Sequence, residues 1–232
     1  MTSENINVVL VPGAWADGSS WAKVITQLQS KGFNTVTSPI PLTSYTDDIA
    51  ALDRTLDRID GPVLLVGHAY AGAVIGGTRS EKVKALVYIA ALAPDEGETV
   101  ADVFYRAAPH PIAPTLAPDR HDLIWLPEEA FANAFAQHAT TQEQALLAAL
   151  QRPISPACIT VPVSRPRWKD LPSWYLIAEE DRMIPHATQE FMAGRMHAQR
   201  RAFPVDHTPS VTAPGLVTDL IVQAAREIWH AR

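Results

Sequence analysis

The sequence has 232 residues, of which 47% are hydrophobic and 19% charged, and its formal net charge is −6. This composition fits one soluble globular domain, with room for an insertion. The acidic balance and the lack of a basic run argue against nucleic-acid binding. The single cysteine, Cys158, excludes an internal disulfide framework and a cysteine-rich metal site.

The chain shows no pattern of a signal peptide or a membrane span. The stretch MTSENINVVL lacks a basic region followed by a long apolar run. The apolar stretch at 83–93 contains Lys84 and is much shorter than the roughly 20 residues that a span requires. We therefore expect a cytoplasmic protein that does not bind membranes, and the sequence leaves a homodimer open.

The first hundred residues alternate short apolar runs with helical patterns. Buried strands are predicted at 6–11, 34–38, 63–66 and 85–91. Between them, helices are predicted over 21–28, with Ser19 or Ser20 as the cap, over 45–59, and after Tyr70. Strand–helix–strand repetition with apolar strands predicts an α/β fold with a mainly parallel sheet and helices on both faces.

The pattern changes in the middle of the chain. Residues 95–168 are rich in proline and alanine and contain helical stretches at 127–138 and 142–150, without a predicted strand. Strands return at 174–178 and 201–205, and a helix is predicted over 216–229. We interpret 1–94 and 169–232 as the core and 95–168 as a helical cap or lid insertion. A packing layer with no lid role is the alternative.

The stretch GHAYAG follows the strand at 63–66 directly. In open parallel sheets, ligands bind beyond the carboxyl ends of the strands. One use of such a turn is the nucleophile elbow, G-x-S-x-G. Gly67 and the small Ala71 match the outer positions, but Ala69 occupies the nucleophile position and has no oxygen.

Two later strands supply partners for this turn. In the hydrolase order, the nucleophile is followed by an acid and then a histidine. Asp181 follows the strand in LIAEEDRMIP, and His207 follows the strand in FPVDHTPSVTAP. His207 would act as the general base and Asp181 would orient it. Asp95, after an earlier strand, is the alternative acid.

Two backbone amides are candidates for an oxyanion hole. Such a site uses the N–H after the nucleophile and another from the loop after an early strand. Tyr70 would supply the first and Ala14, in VPGAWADG, the second. No pair of histidines has convincing metal-ligand spacing, so we predict no metal site.

Together, VVLVPGAWADGSSW, VLLVGHAYAG, ALVYIAALAPDEG, SWYLIAEEDRMIP and VDHTPSVTAP resemble α/β-hydrolase-fold proteins. They are most similar to small bacterial esterases related to plant methyl-salicylate esterases and hydroxynitrile lyases. The resemblance implies Ala69 at the nucleophile, Asp181 as acid, His207 as base, Ala14 and Tyr70 as oxyanion donors, and no cofactor. The chain departs from this family at Pro12, where such proteins have histidine, and at Ala69, where they have serine.

The alanine at position 69 has two explanations. Either an engineered change replaced a serine in a carboxylester hydrolase, or Ala69 is native and the protein binds ligands or performs lyase-type or cofactor-free chemistry with His207. Trp15 and Trp125 are the candidates for substrate contact. Since apolar residues usually line ligand sites, we expect a small apolar or aromatic ester as the partner.

Overall fold

A computed structural model describes residues 6–229 of the chain. Residues 1–5 and 230–232, which belong to the two predicted core segments, lie outside the described residues. One sheet contains all six named strands in the order β2-β1-β3-β4-β5-β6, and every neighbouring pair is parallel. The strands are β1 (Asn7–Val11), β2 (Asn34–Thr37), β3 (Val63–His68), β4 (Val83–Ile89), β5 (Ser173–Ala178) and β6 (Gln199–Phe203). The predicted α/β fold with a parallel sheet is confirmed.

Two strands lie about two residues earlier than the sequence predicts. β4 ends at Ile89 because Ala90 has a φ of 43° and turns the chain. β6 is an edge strand whose first four residues are exposed, so it has no buried apolar run to mark it. Val205, the last residue of the predicted strand, is buried in the loop beyond it.

Helices cover both faces of the sheet. They are α1 (Ala22–Ser30), α2 (Tyr45–Asp57), α3 (Ala71–Gly77), α4 (Val100–Phe104), α5 (Glu128–Ala130), α6 (Thr141–Ala149), α7 (His186–Arg195), α8 (Pro209–Thr212) and α9 (Pro214–Trp229). Alternate β1 residues enter different cores, as the two-residue period of a strand requires. Val8 joins the cluster that contains residues of α1 and α9, and Val9 joins the one that contains residues of α2, α3 and α7.

The beginning of the first helical segment differs from the prediction. A 3-10 turn at Gly18–Trp21 precedes α1, and Asp17 caps it by accepting a hydrogen bond from the Ser19 backbone. Ser19 and Ser20 therefore lie inside the turn and do not cap α1. Within residues 6–229, no helix is both long and apolar enough to cross a bilayer.

The segment 95–168 carries short helices and no strand of the sheet among its residues. The helix predicted over 127–138 is in fact α5 followed by a π-helical turn at Phe131–Phe135. Thr208 beyond β6 donates its hydroxyl hydrogen to Phe135 O at 2.5 Å, which ties this turn to the loop of His207. Whether the segment moves as a lid stays a prediction.

Candidate active site

The turn between β3 and α3 is a tight elbow centred on Ala69. Ala69 has a φ of 50°, a left-handed conformation that residues other than glycine rarely adopt. Its carbonyl accepts a hydrogen bond from Leu92 N at 2.9 Å, which fixes the turn against the end of β4. A Cβ added to Gly67 would lie 2.8 Å from Ala71 O, so strand and helix approach as closely as glycine allows. Strain of this kind is typical of functional sites.

Asp181 and His207 meet at the same edge of the sheet, one after β5 and the other after β6. His207 Nδ1 donates to Asp181 Oδ2 over 2.8 Å, and the two side chains are only 2% and 0% exposed. A neutral imidazole with hydrogen on Nδ1 carries its lone pair on Nε2. No protein group among residues 6–229 hydrogen-bonds to His207 Nε2, so this atom is free to accept a proton.

The Asp181 carboxylate is held by three further donors. The backbone N–H groups of Met183 and Ile184 donate to Oδ1 at 2.7 and 2.8 Å. Gln189 Nε2 donates to Oδ2 at 2.8 Å, beside the bond from His207. Gln189 was missed by the sequence analysis, because nothing in the pattern of α7 marks its single glutamine as fully buried.

The two predicted oxyanion donors both reach the site. Among the described residues, no hydrogen-bond acceptor contacts the backbone N–H of Ala14 or of Tyr70, and both residues border one cavity. The loop of Ala14 packs tightly onto the elbow, since a Cβ on Gly13 would lie 2.8 Å from His68 O. Free N–H groups beside a reacting carbonyl are the donors that an oxyanion requires.

The side chain of Tyr70 is anchored beneath the cavity. Its hydroxyl donates to Asp48 Oδ2 at 2.7 Å, and Leu42 N donates to Asp48 Oδ1 at 2.6 Å. Burial raises the pKa of Asp48. Burial and the neighbouring Asp48 raise the pKa of the Tyr70 phenol far above its usual value, so the phenol remains a donor. These bonds fix Tyr70, and with it the orientation of its backbone N–H.

His68, inside the elbow, contacts His207 through a hydrogen bond and through its ring. Its Nε2–H donates to His207 O at 2.7 Å, and the two ring centroids lie 4.8 Å apart. Burial, with a smaller contribution from His207, lowers the pKa of His68 to about 3. His68 is therefore neutral near pH 7, and its buried Nδ1 has no partner within residues 6–229.

Ala69 of the elbow, His207 and the two residues with free amides border one apolar cavity, whose empty space is about 590 Å³ with the open solvent at its mouth included. No charged carboxylate, lysine or arginine side chain is among the described residues that line it. Three of the lining residues, His207, Tyr70 and Tyr105, have polar side chains, and the Tyr70 hydroxyl is bonded to Asp48. The remaining lining residues are Ala14, Trp15, Ala69, Leu92, Val100, Ala101, Phe104, Leu116, Ile124, Ile154, Ile159, Met183 and Ile184.

The two tryptophans predicted as substrate contacts have different positions. Trp15 lines the cavity, and its Nε1–H donates to Ile124 O at 2.9 Å, so the ring is fixed. Trp125 is 45% exposed and is absent from the cavity wall, which argues against its predicted role. The preceding residue, Ile124, lines the cavity, whereas the side chain of Trp125 lies toward solvent.

The alternative acid, Asp95, forms no hydrogen bond or ion pair with His207 within residues 6–229. Its Oδ1 forms an ion pair with Lys169 Nζ at 2.5 Å on the partly exposed rim of the fold. Within residues 6–229, no three histidine, cysteine, aspartate or glutamate side chains are grouped so that they could hold a metal ion. The structure thus brings Asp181, and not Asp95, to the histidine.

Comparison with known proteins identifies the family of the chain. The alpha/beta hydrolase family profile matches residues 8–220. The chain belongs to the alpha/beta hydrolase family. This hydrolase is 23% identical to the alpha/beta hydrolase nvfD of Aspergillus novofumigatus over 248 residues, which cover 95% of this chain and 96% of the relative.

Two esterases extend the comparison. The carbendazim hydrolyzing esterase of a Nocardioides species is 28% identical over 120 residues, covering 44% of this chain and 49% of the relative. The crystal structure of polyneuridine aldehyde esterase superposes with a TM-score of 0.82 at 18% identity, covering 96% of this chain and all of the other. At this identity the superposition establishes the fold, and it confirms the resemblance to alpha/beta hydrolases.

Proposed function

We propose that this alpha/beta hydrolase has the site of a carboxylester hydrolase in which Ala69 replaces the nucleophilic serine. The observation that carries the proposal is the buried bond from His207 Nδ1 to Asp181 Oδ2, which leaves Nε2 free at the cavity that Ala69 also borders. A buried histidine–carboxylate pair facing a strained elbow is the arrangement that activates a hydroxyl.

With serine at position 69, each group has a role in acyl transfer. The hydroxyl would attack the ester carbonyl while His207 Nε2 takes its proton and later returns it to the leaving alcohol. Asp181 would stabilise the imidazolium. The N–H groups of Ala14 and Tyr70 would donate to the oxyanion. With Ala69, no acyl-enzyme forms, and loss of a nucleophile lowers kcat by about 10⁶-fold in another serine hydrolase.

The cavity wall favours a neutral, apolar ester. A carboxylate or ammonium group on the ligand would lose its hydration in this cavity and would find no residue of opposite charge there. Desolvation of an unpaired charge is costly. Trp15, Phe104 and Ile124 offer apolar surface to an aromatic or aliphatic group. The relatives named for carbendazim and polyneuridine aldehyde support an esterase acting on a small organic molecule.

The test restores the hydroxyl. The Ala69→Ser variant and the parent chain are assayed with p-nitrophenyl esters of increasing acyl length. We expect the variant to exceed the parent by several orders of magnitude, up to about 10⁶-fold. Adding His207→Ala to the variant should abolish the gain, and Ala139→Ser, which adds a hydroxyl outside the cavity, should give none. An Ala69→Ser variant that stays inert over the whole panel would refute the esterase assignment.

A second candidate follows from Ala69 itself. If the alanine is native, the intact apolar cavity would serve ligand binding or a non-hydrolytic reaction with His207 as base. This candidate predicts that the parent binds or converts an apolar ligand and that Ala69→Ser brings no gain in ester hydrolysis. The codon for residue 69 in the genomic sequence separates a native alanine from an engineered one.

A further inference from the structure

We infer that the chain, with Ala69 as it stands, hydrolyses activated neutral esters by direct attack of water, with His207 as the general base. The inference rests on the site assigned under the proposed function but not on a serine nucleophile. Its substrates are aryl or enol esters, whose leaving oxygen departs readily. It assigns an activity to the alanine form, which acyl transfer would leave silent.

The first support is the state of the base. In the buried pair, Nδ1–H of His207 is committed to Asp181, so the lone pair on Nε2 is available to a water molecule entering the cavity. The methyl group of Ala69 has no hydrogen-bonding atom, so it does not compete for Nε2. A positioned histidine that removes a proton from the attacking group contributes about 10²- to 10⁴-fold to a rate.

The second support is that Asp181 stabilises the positive charge which His207 acquires on taking the proton. Asp181 accepts four hydrogen bonds, one of them from His207, and its side chain is fully buried. A carboxylate held this rigidly stabilises the imidazolium at the moment when it forms, without a reorganisation cost. His68 does not take the proton in place of His207, because its unpartnered Nδ1 is buried, the residue is absent from the cavity wall, and burial lowers its pKa to about 3.

The third support is the pair of free N–H groups. Those of Ala14 and Tyr70 have no acceptor among residues 6–229 and border the same cavity as His207. The Asp48 bond to the phenol of Tyr70 keeps one of them in place. The charge that develops on a carbonyl oxygen is the same whether water or a serine hydroxyl attacks, so these donors serve either reaction.

The steps balance without a covalent intermediate. The water oxygen forms a bond to the acyl carbon as one of its protons passes to His207 Nε2, and the carbonyl electron pair moves onto the oxygen held by the two N–H groups. Collapse reforms the carbonyl and breaks the bond to the leaving oxygen, which receives the proton back from His207. Ester and water give acid and alcohol, and the protein is unchanged.

The experiment measures release of p-nitrophenol from short acyl esters by the parent chain. His207→Ala and Asp181→Asn are compared with His186→Ala, a control at a half-exposed histidine paired with Glu190. We expect His207→Ala to lower the enzymatic rate by about 10²-fold or more. Asp181→Asn, which keeps the imidazole, should lower it by at least about tenfold, since an amide in place of this carboxylate disturbs the tautomer.

Covalent chemistry is monitored in the same reactions. The parent should give linear progress from the first turnover and no acylated mass, whereas Ala69→Ser should give a burst and an acylated protein. A parent rate equal to that of His207→Ala would overturn the inference and leave the esterase assignment standing if Ala69→Ser is active. A His207-dependent parent with an inert Ala69→Ser would support the inference and refute the proposal that Ala69 replaces a nucleophilic serine.

Discussion

Gln189 and Asp181 lie eight residues apart and are joined by a hydrogen bond in which Gln189 Nε2 donates to Asp181 Oδ2 at 2.8 Å. The same amide nitrogen also donates to Ile184 O at 2.9 Å, and Gln189 Oε1 accepts from Ala178 N at 2.9 Å. One fully buried side chain thus joins the end of β5, the loop that carries Asp181 and helix α7. Together with the backbone N–H groups of Met183 and Ile184, it holds the carboxylate that faces His207.

Replacing Gln189 with leucine should loosen Asp181. The Gln189→Leu change removes a donor to the carboxylate and leaves Ala178 N without its acceptor, at a cost of about 1–3 kcal/mol in the free energy of unfolding. In the Ala69→Ser background, we expect kcat to fall by roughly tenfold while KM changes little, because Gln189 does not line the cavity. Urea unfolding and ester kinetics measure both effects. Gln223→Leu on α9 is the control, and equal effects of the two changes would contradict the positioning role.

Gly67 should not tolerate a side chain. In Gly67→Ala, the new Cβ would lie 2.8 Å from Ala71 O, so β3 and α3 would have to separate at the elbow. We expect a loss of about 1–3 kcal/mol in the free energy of unfolding, the usual cost of overpacking. The control is Gly215→Ala in the first turn of α9, where no atom lies within 4 Å of the new Cβ. There, stability should stay equal or rise by up to about 1 kcal/mol, and thermal unfolding of both variants tests the contrast.

The buried His68 should make stability fall in acid. Its pKa is about 3 in the folded chain and ordinarily 6.5, so between these values the unfolded chain binds more protons. Stability from this group is complete above pH 6.5 and decreases as the pH falls toward 3, with a slope that approaches about 1.4 kcal/mol per pH unit. Urea unfolding at pH 7 and pH 5 should show a smaller loss in His68→Phe than in the parent. The exposed control His121→Ala should keep the parent slope, and an unchanged slope in His68→Phe would rule out the linkage.

Cys158 should be unreactive in the folded protein. The thiol is fully buried and lies 3.5 Å from Asp48 Oδ2, and burial, with the neighbouring carboxylate, raises its pKa to about 12. Since the thiolate is the reactive form, a disulfide reagent at pH 8 should label the native chain very slowly and the urea-unfolded chain within minutes. The Cys158→Ser variant gives the background signal of the reagent, because the chain has one cysteine. Rapid labelling of the native protein would show that the interior at Asp48 opens.

The sequence by itself determined the class of the fold and the chain order of the three candidate site residues. Short apolar runs separated by amphipathic helices are typical of a parallel sheet buried between two helical layers. The ends of β3, β5 and β6 then place Ala69, Asp181 and His207 along one edge, which is why local patterns were sufficient to nominate all three. The sequence did not predict where β4 ends, because the turn at Ala90 lies within a continuous apolar run.

Contacts between distant segments were decided only by the tertiary structure. Asp181 and Asp95 both follow strands, but the packing of α7 brings a buried glutamine to the first, and Lys169 pairs with the second. Trp125 and Ile124 are neighbours in the chain, and only the fold determines which of them lines the cavity. The reason is physical: local periodicity fixes the face on which a side chain lies, whereas the partner it meets depends on elements that pack against that face from elsewhere in the chain.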